Sequence, residues 1–355
     1  MSWEKAKLGD IIAIKKGTYI TKKEAKEGPY PVIHGGREPG YYIDKYNHIG
    51  KAIVISRSGA SAGYVSFWNE PIFVTDGFLV EPKDCVSIEF LYYLLKFKEP
   101  ELQGKQGGSA IPHVNPQIIN AVEIFLPSSS VQENITTILS AYDDLIENNQ
   151  KQIKLLEEAA QRLYKEWFVD LRFPGHETTP ITDGIPEGWK NVVVTDLLEI
   201  KYGKDHKALE DGNIPVYGSG GVMRKVNKIL HSGESVLIPR KGSLNNILLV
   251  SGDFWTIDTM FFSIPRKPNV AKYVYLFLSG VDMYAMNIGA AVPSMTVKIL
   301  DSMKVLCPST EMLAQFEKVV GPYFSMIELL KIKNESLAEA RNLLLPKLMN
   351  GEIEV

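Results

Sequence analysis

Two kinds of hydrophobic pattern alternate along this chain, and the pair occurs twice. Residues 1–129 and 171–309 carry short β-branched runs at 51–56, 72–80, 235–238, 247–250 and 255–264, punctuated by Gly, Pro and Asn. One short helix is predicted within each stretch, near 89–97 and near 270–279. Each stretch then gives way to a heptad pattern. After Ser130-Val131-Gln132-Glu133, which has the form of a capping box, the seam runs Ile135, Leu139, Tyr142, Ile146, Asn149, Ile153, Leu156, Ala160, Leu163, Trp167. After Pro308-Ser309-Thr310-Glu311 it runs Phe316, Val320, Tyr323, Ile327, Leu330, Asn334, Leu337, Arg341, Leu344, with Pro346 as the expected stop. Four segments follow: globular parts at 1–129 and 171–309, and long helices at 130–170 and 310–355.

The second half echoes the first, the signature of an internal duplication. Tyr30-Pro31-Val32-Ile33-His34-Gly35-Gly36 returns as Ile214-Pro215-Val216-Tyr217-Gly218-Ser219-Gly220-Gly221, about 184 positions on. The run 50–59 returns at 233–242, Phe67-Trp68 as Phe254-Trp255, Asp76 as Asp258, and Ala110-Ile111-Pro112 as Ala291-Val292-Pro293. An α+β fold is expected: two similar, mostly-β domains, each followed by a long helix, the helices packed as an antiparallel coiled coil about a pseudo-two-fold axis. One polar seam residue in each helix, Asn149 and Asn334, would set the register.

Composition narrows the class. Two cysteines, Cys85 and Cys307, are too few for a disulfide framework, and no run approaches a membrane span, so a cytoplasmic protein is expected. The net charge of −3 hides a segregation: residues 1–130 sum to +1 and 171–309 to +2, while 131–170 carry −4 and 310–355 carry −2. Weakly basic globular parts are compatible with nucleic acid. Similar heads on a rod of about 50 Å would act as a ruler reading two unlike half-sites, that is, a bipartite and non-palindromic DNA target.

Glycine-flanked polar loops are the candidate reading surfaces, because they let backbone approach phosphates while side chains reach base edges. In the first copy these are Lys15 and Lys16, His34 and Arg37, and Arg57 with Ser58; in the second, Lys201 and Lys204, Tyr217 and Ser219, and Arg240, Lys241, Ser243 and Asn245. Enzymatic signatures fail. No Walker A motif exists, Gly218-Ser219-Gly220-Gly221 lacks a following helix and acid, and Asn115-Pro116-Gln117-Ile118 lacks the second proline and aromatic of an amino-methyltransferase loop. The six histidines are scattered without metal-ligand spacing. The chain is therefore expected to have no catalytic residues, no metal and no cofactor. The competing readings are a coiled-coil adaptor whose heads bind protein or glycan, and a self-sufficient modification enzyme.

Several runs carry a resemblance: Pro-Val-Tyr-Gly-Ser-Gly-Gly at 215–221, Ile-Pro-Arg-Lys-Gly-Ser at 238–243, Ala-Val-Pro-Ser-Met at 291–295, the proline before each long helix, and Gly-Ile-Pro-Glu-Gly-Trp at 184–189. In this arrangement the chain resembles the specificity subunit of type I restriction-modification systems over essentially its whole length. The resemblance implies two target-recognition domains, a non-catalytic role, and double-stranded DNA as ligand. It further implies two methyltransferase subunits as partners, with restriction subunits joining through them; adenosylmethionine, ATP and Mg would belong to those partners. The first copy departs from the pattern, with Ile-Ser-Arg-Ser-Gly at 55–59, which makes Arg240 a stronger contact candidate than Arg57.

Overall fold

The structure is a computed structural model in which residues 3–21, 23–104, 112–287 and 293–355 are described. The repeat match of Ala110-Ile111 with Ala291-Val292 lies outside them. The chain forms two compact units, Met1–Asn149 with Ile332–Val355, and Gln150–Lys331. Each long helix thus contributes one segment to each unit, so the units differ from the four segments expected from the sequence.

The first copy runs β1 (Glu4–Lys7), α1 (Leu8–Ile11), β2 (Ile12–Lys16), β3 (Tyr30–Ile33), β4 (Tyr42–Ile43), β5 (Lys51–Ser56), β6 (Val65–Asn69), β7 (Phe73–Val74), β8 (Gly77–Pro82), α2 (Ile88–Gly104), α3 (Pro116–Asn120), β9 (Glu123–Leu126) and α4 (Ser129–Tyr164). A small hairpin, β10 (Ile181–Thr182) and β11 (Ile185–Pro186), leads into the second copy. That copy runs β12 (Lys190–Val193), α5 (Val194–Leu197), β13 (Leu198–Tyr202), β14 (Asp211–Gly218), β15 (Gly221–Val226), β16 (His231–Ser232), β17 (Ser235–Pro239), β18 (Leu248–Val250), β19 (Asp253–Thr256), β20 (Met260–Pro265), α6 (Ala271–Ser279), α7 (Val297–Ser302), β21 (Lys304–Cys307) and α8 (Thr310–Met349).

Topology repeats as the sequence does. The main sheet has the order β2-β8-β5-β6 in one copy and β13-β20-β17-β18 in the other. Registers coincide: Ile55 faces Phe78 as Ile238 faces Phe261, and Lys16 faces Phe78 as Tyr202 faces Phe261. The second sheet is built on an equivalent parallel pair, Val32 with Phe73 and Val216 with Trp255. The runs 72–80 and 255–264, each expected as one strand, are each broken into two. After β7 and β19 the chain turns, at Asp76 and Asp258, to leave one sheet for the other. At that crossing Gly17 and Gly203 lie so close to the carbonyls of Thr75 and Ile257 that any Cβ would collide with them.

The seam residues of α4 and α8 are all buried or half-buried, and the intervening positions are mostly exposed. In the first unit the two segments run antiparallel, since Asn149 lies opposite Asn334 while Asp143 lies opposite Arg341. Ile135 and Leu139 join Leu348 and Met349 in one core with the main sheet's Ile53, Phe78 and Val80 and the α2 residues Phe90 and Leu94. In the second unit Trp167, in a closing π-helical turn (Lys165–Val169), packs on Phe316 with ring centroids 5.6 Å apart. Pro346 does not stop α8, which continues to Met349. Leu348 and Met349 are buried in the first unit's core, and that burial outweighs the hydrogen bond the proline omits.

Candidate nucleic-acid interface

The arginine loop after β5 is where the sequence candidates converge in the first unit. Arg57 donates its backbone position to a small clamp: Val114 N–H bonds the Arg57 carbonyl at 2.9 Å, Gly59 N–H bonds the Pro112 carbonyl at 3.1 Å, and Ser58 bridges to His113. Gly59 adopts a φ of +83°, which a side-chain-bearing residue rarely takes. The Asp76 carboxylate accepts the Ser58 hydroxyl and pairs with the Arg57 guanidinium at 3.6 Å. Arg57 keeps 42% of its side chain exposed. With Lys16, Ile14, Phe78, His113 and Asn115 it lines a recess of about 340 Å³.

The neighbouring candidates spread from this point. Lys15 and Lys16 are exposed at the end of β2, and Lys15 pairs with Glu81 at 2.7 Å. His34 Nδ1 accepts the Gly36 amide at 3.2 Å, which shapes the glycine loop. Arg37, exposed, lies 5.4 Å from the centre of the Tyr64 ring, which Lys96 also covers at 4.9 Å. Burial, with the Glu99 charge adding to it, pushes the Tyr64 hydroxyl above its ordinary range, so it stays a neutral platform for both cations.

The equivalent loop of the second unit is built differently, and several of the candidates there already hold partners within the protein. Arg240 lies 4.7 Å from the Tyr202 ring and 5.1 Å from the Phe261 ring, and its Nη1 donates to the Asp258 carbonyl at 2.6 Å. Its guanidinium is thus partly engaged within the fold, as that of Arg57 is by Asp76. Asn245 is also committed: its Nδ2 donates to Asp282 at 3.2 Å and its Oδ1 accepts the Met283 amide at 2.8 Å, leaving little for a base edge. Tyr217 is half-buried and packs on Phe254. Lys201 pairs with Glu199 at 2.6 Å. Lys204, Lys241 and Ser243 are exposed, and Ser219 is half-buried beside the same loop, its carbonyl accepting the Asn246 amide at 2.8 Å.

Sequence reasoning passed over Asp76 as a site residue and took Tyr202 only as the aromatic of the Lys201–Lys204 loop. The duplication held a signal for both: an aspartate recurs at 76 and 258, while the copies differ at 16 and 202, where lysine stands opposite tyrosine. Among the described residues no cluster of three or more His, Cys, Asp or Glu could hold a metal ion. No helix of the described residues is long and apolar enough to cross a membrane.

Comparison with known proteins agrees with the duplicated scaffold. The chain is 29% identical over 343 residues to the type I restriction enzyme MjaIX specificity subunit of Methanocaldococcus jannaschii, covering 86% of this chain and 78% of that protein. It is 25% identical to the MjaVIII specificity subunit of the same organism, covering 99% of this chain and 93% of that one. Among solved structures, a type I restriction-modification S subunit from M. genitalium superposes with a TM-score of 0.60 at 21% identity, covering 98% of this chain and 96% of that one, which establishes a shared fold. Residues 1–158 and 186–338, one stretch in each copy, match the family described as the type I restriction modification DNA specificity domain, and the chain belongs to that family as a specificity subunit.

Proposed function

We propose that this chain is the non-catalytic, sequence-specific DNA-binding subunit that recognises a bipartite, asymmetric target. In that role it directs associated adenine methyltransferase and restriction subunits to the site. The observation that carries the reading is one scaffold used twice with different side chains at equivalent positions. Lys16, Arg57 and His113 in the first copy stand where Tyr202, Arg240 and Ser294 stand in the second. Equal frames with unequal readers suit two half-sites of different sequence. The contact residues proposed are Lys15, Lys16, His34, Arg37, Arg57 and Ser58 in the first domain and Lys201, Lys204, Ser219, Lys241 and Ser243 in the second.

Protein partners are supported by the long helices. Val319, Met326 and Leu329 on α8 are 39–44% exposed, and they lie off the buried seam on a second face. Exposed apolar residues at helical spacing suit an apolar stripe on a partner subunit. Two methyltransferase subunits are the proposed occupants, with restriction subunits joining through them. Adenosylmethionine, ATP and Mg belong to those partners in this scheme.

The test is a genome-wide map of methylated adenines in the host, with and without the gene. Loss of a single bipartite motif on deletion is expected, and it yields both half-sites together. An unchanged methylation map in a host that does methylate adenine defeats the proposal.

A further inference from the structure

We infer that the recess between β2, β8 and the Arg57 loop in the first domain seats one DNA backbone phosphate, and that the equivalent place in the second domain does not. The inference rests on the DNA-binding reading above and adds a ligand group, a location and an inequality between the two domains.

The recess has the chemistry of an anion site. Lys16, Arg57 and His113 line it, and Asp76 is the acid beside them, paired with Arg57 and accepting the Ser58 hydroxyl. Lysine as a point charge and arginine as a planar fork are the two usual partners of phosphate oxygens. Ile14, Phe78 and Val114 supply apolar walls, and beside low-dielectric walls the cations are screened less than on an open surface. A volume of about 340 Å³ is at the small end for a ligand site, suited to a phosphate with part of its sugar. Base reading fits less well, because the Asn115 side-chain oxygen is already used to accept the Ile118 amide at 2.9 Å.

The site is also preorganised. Backbone bonds from Val114 to Arg57 and from Gly59 to Pro112 hold its two walls at a fixed separation, so little ordering remains to be done on binding. In the second domain one of these backbone bonds recurs, Met295 N–H on the Arg240 carbonyl at 3.0 Å, but the side chains around it differ. Tyr202 replaces Lys16, Ser294 replaces His113, and Arg240 is turned onto two aromatic rings and a carbonyl, while the loop's other cation, Lys241 in the place of Ser58, is exposed. Position 16/202 therefore decides whether the arginine faces an anion or lies on a ring.

The experiment uses the full chain and a 40-base-pair duplex of arbitrary sequence, with fluorescence anisotropy from about 50 to 200 mM salt, where each neutralised phosphate contributes a slope of about 0.9 in log K against log salt. Because Lys16 shares the phosphate, Arg57→Gln alone is expected to make the slope shallower by less than about 0.9, with Arg57→Lys restoring it. The double variant Lys16→Tyr with Arg57→Gln, which removes both cations from that phosphate, is expected to lose about 0.9 in all. Arg240→Gln leaves the slope unchanged and lowers the thermal midpoint. Lys16→Gln serves as a milder variant should Lys16→Tyr disturb folding. An unchanged slope in the double variant overturns the inference and leaves DNA binding intact, and so does a loss of about 1.8 in it, which marks two separate contacts. Absence of salt-dependent binding by the unmodified chain overturns the functional reading together with the inference.

Discussion

Asn149 and Asn334 offer a direct test of how the helix pair is specified. Asn149 is 8% exposed, and its Nδ2 donates to Asn334 Oδ1 at 2.8 Å. Asn334 Nδ2 in turn points to the Ile146 carbonyl at 3.4 Å. Replacing one asparagine by leucine leaves the other amide buried without its partner, which costs about 1–3 kcal/mol. Replacing both removes one buried and one half-buried amide and adds two apolar side chains to a seam otherwise rich in Ile and Leu. The double variant Asn149→Leu with Asn334→Leu should therefore equal or exceed the unmodified chain, as when a polar pair is exchanged for well-packed apolar residues. Each single variant should lose about 1–2 kcal/mol, giving a coupling of about 2–4 kcal/mol in the double-mutant cycle. Urea denaturation followed by circular dichroism measures all four proteins, with the midpoint shift converted through a common m-value. If the loss in the double variant equals the sum of the single losses, the two amides do not act as a pair and the register argument fails. A stabilising Asn334→Leu alone refutes it as well.

Three further outcomes follow from other parts of the fold. Asp143 accepts the Tyr93 hydroxyl at 2.6 Å and pairs with Arg341, so Asp143→Asn strips a half-buried guanidinium of its counter-charge; a loss of about 1–3 kcal/mol is expected, and a lowered urea midpoint checks it. Burial, with the Asp143 charge adding to it, pushes the Tyr92 hydroxyl up to about 12, and burial raises Tyr93, Tyr164 and Tyr273 as well. A folded pKa above the unfolded value of about 10 means that these groups contribute full stability below pH 10 and lose it as pH rises through the folded values. Thermal midpoints should thus stay flat from neutrality to about pH 10 with respect to these tyrosines and fall above it, and a midpoint indifferent to pH 11 contradicts this. Gly17→Ala and Gly203→Ala each drive a methyl into a backbone carbonyl at the sheet crossing and should cost about 1–3 kcal/mol or more, whereas Gly220→Ala, in open space, should cost far less; equal thermal shifts in all three would count against the crossing geometry.

The periodicity of the sequence determined the duplication, several strand runs and one short helix in each copy, and the heptad seam with its two asparagines. These properties are local or repeat-based. A period of 3.5 residues identifies a helix face wherever that helix packs, and two similar sequences adopt similar topology. The seam residues from Ile135 to Trp167 and from Phe316 to Leu344 were all legible for that reason. Only tertiary structure decided the ends and the site. Pro346 reads as a stop because a helix cannot bond through it, yet α8 runs on because two residues beyond it are buried in the core. Arg57 and Arg240 occupy equivalent turns after equivalent strands, and sequence alone ranked them by likeness to a motif. Their difference arises at Lys16 and Tyr202, on another strand of the sheet, since a lysine leaves the arginine beside an open recess and a tyrosine ring draws it in. What a side chain offers to a ligand depends on neighbours distant in sequence, and those neighbours meet only when the sheet closes.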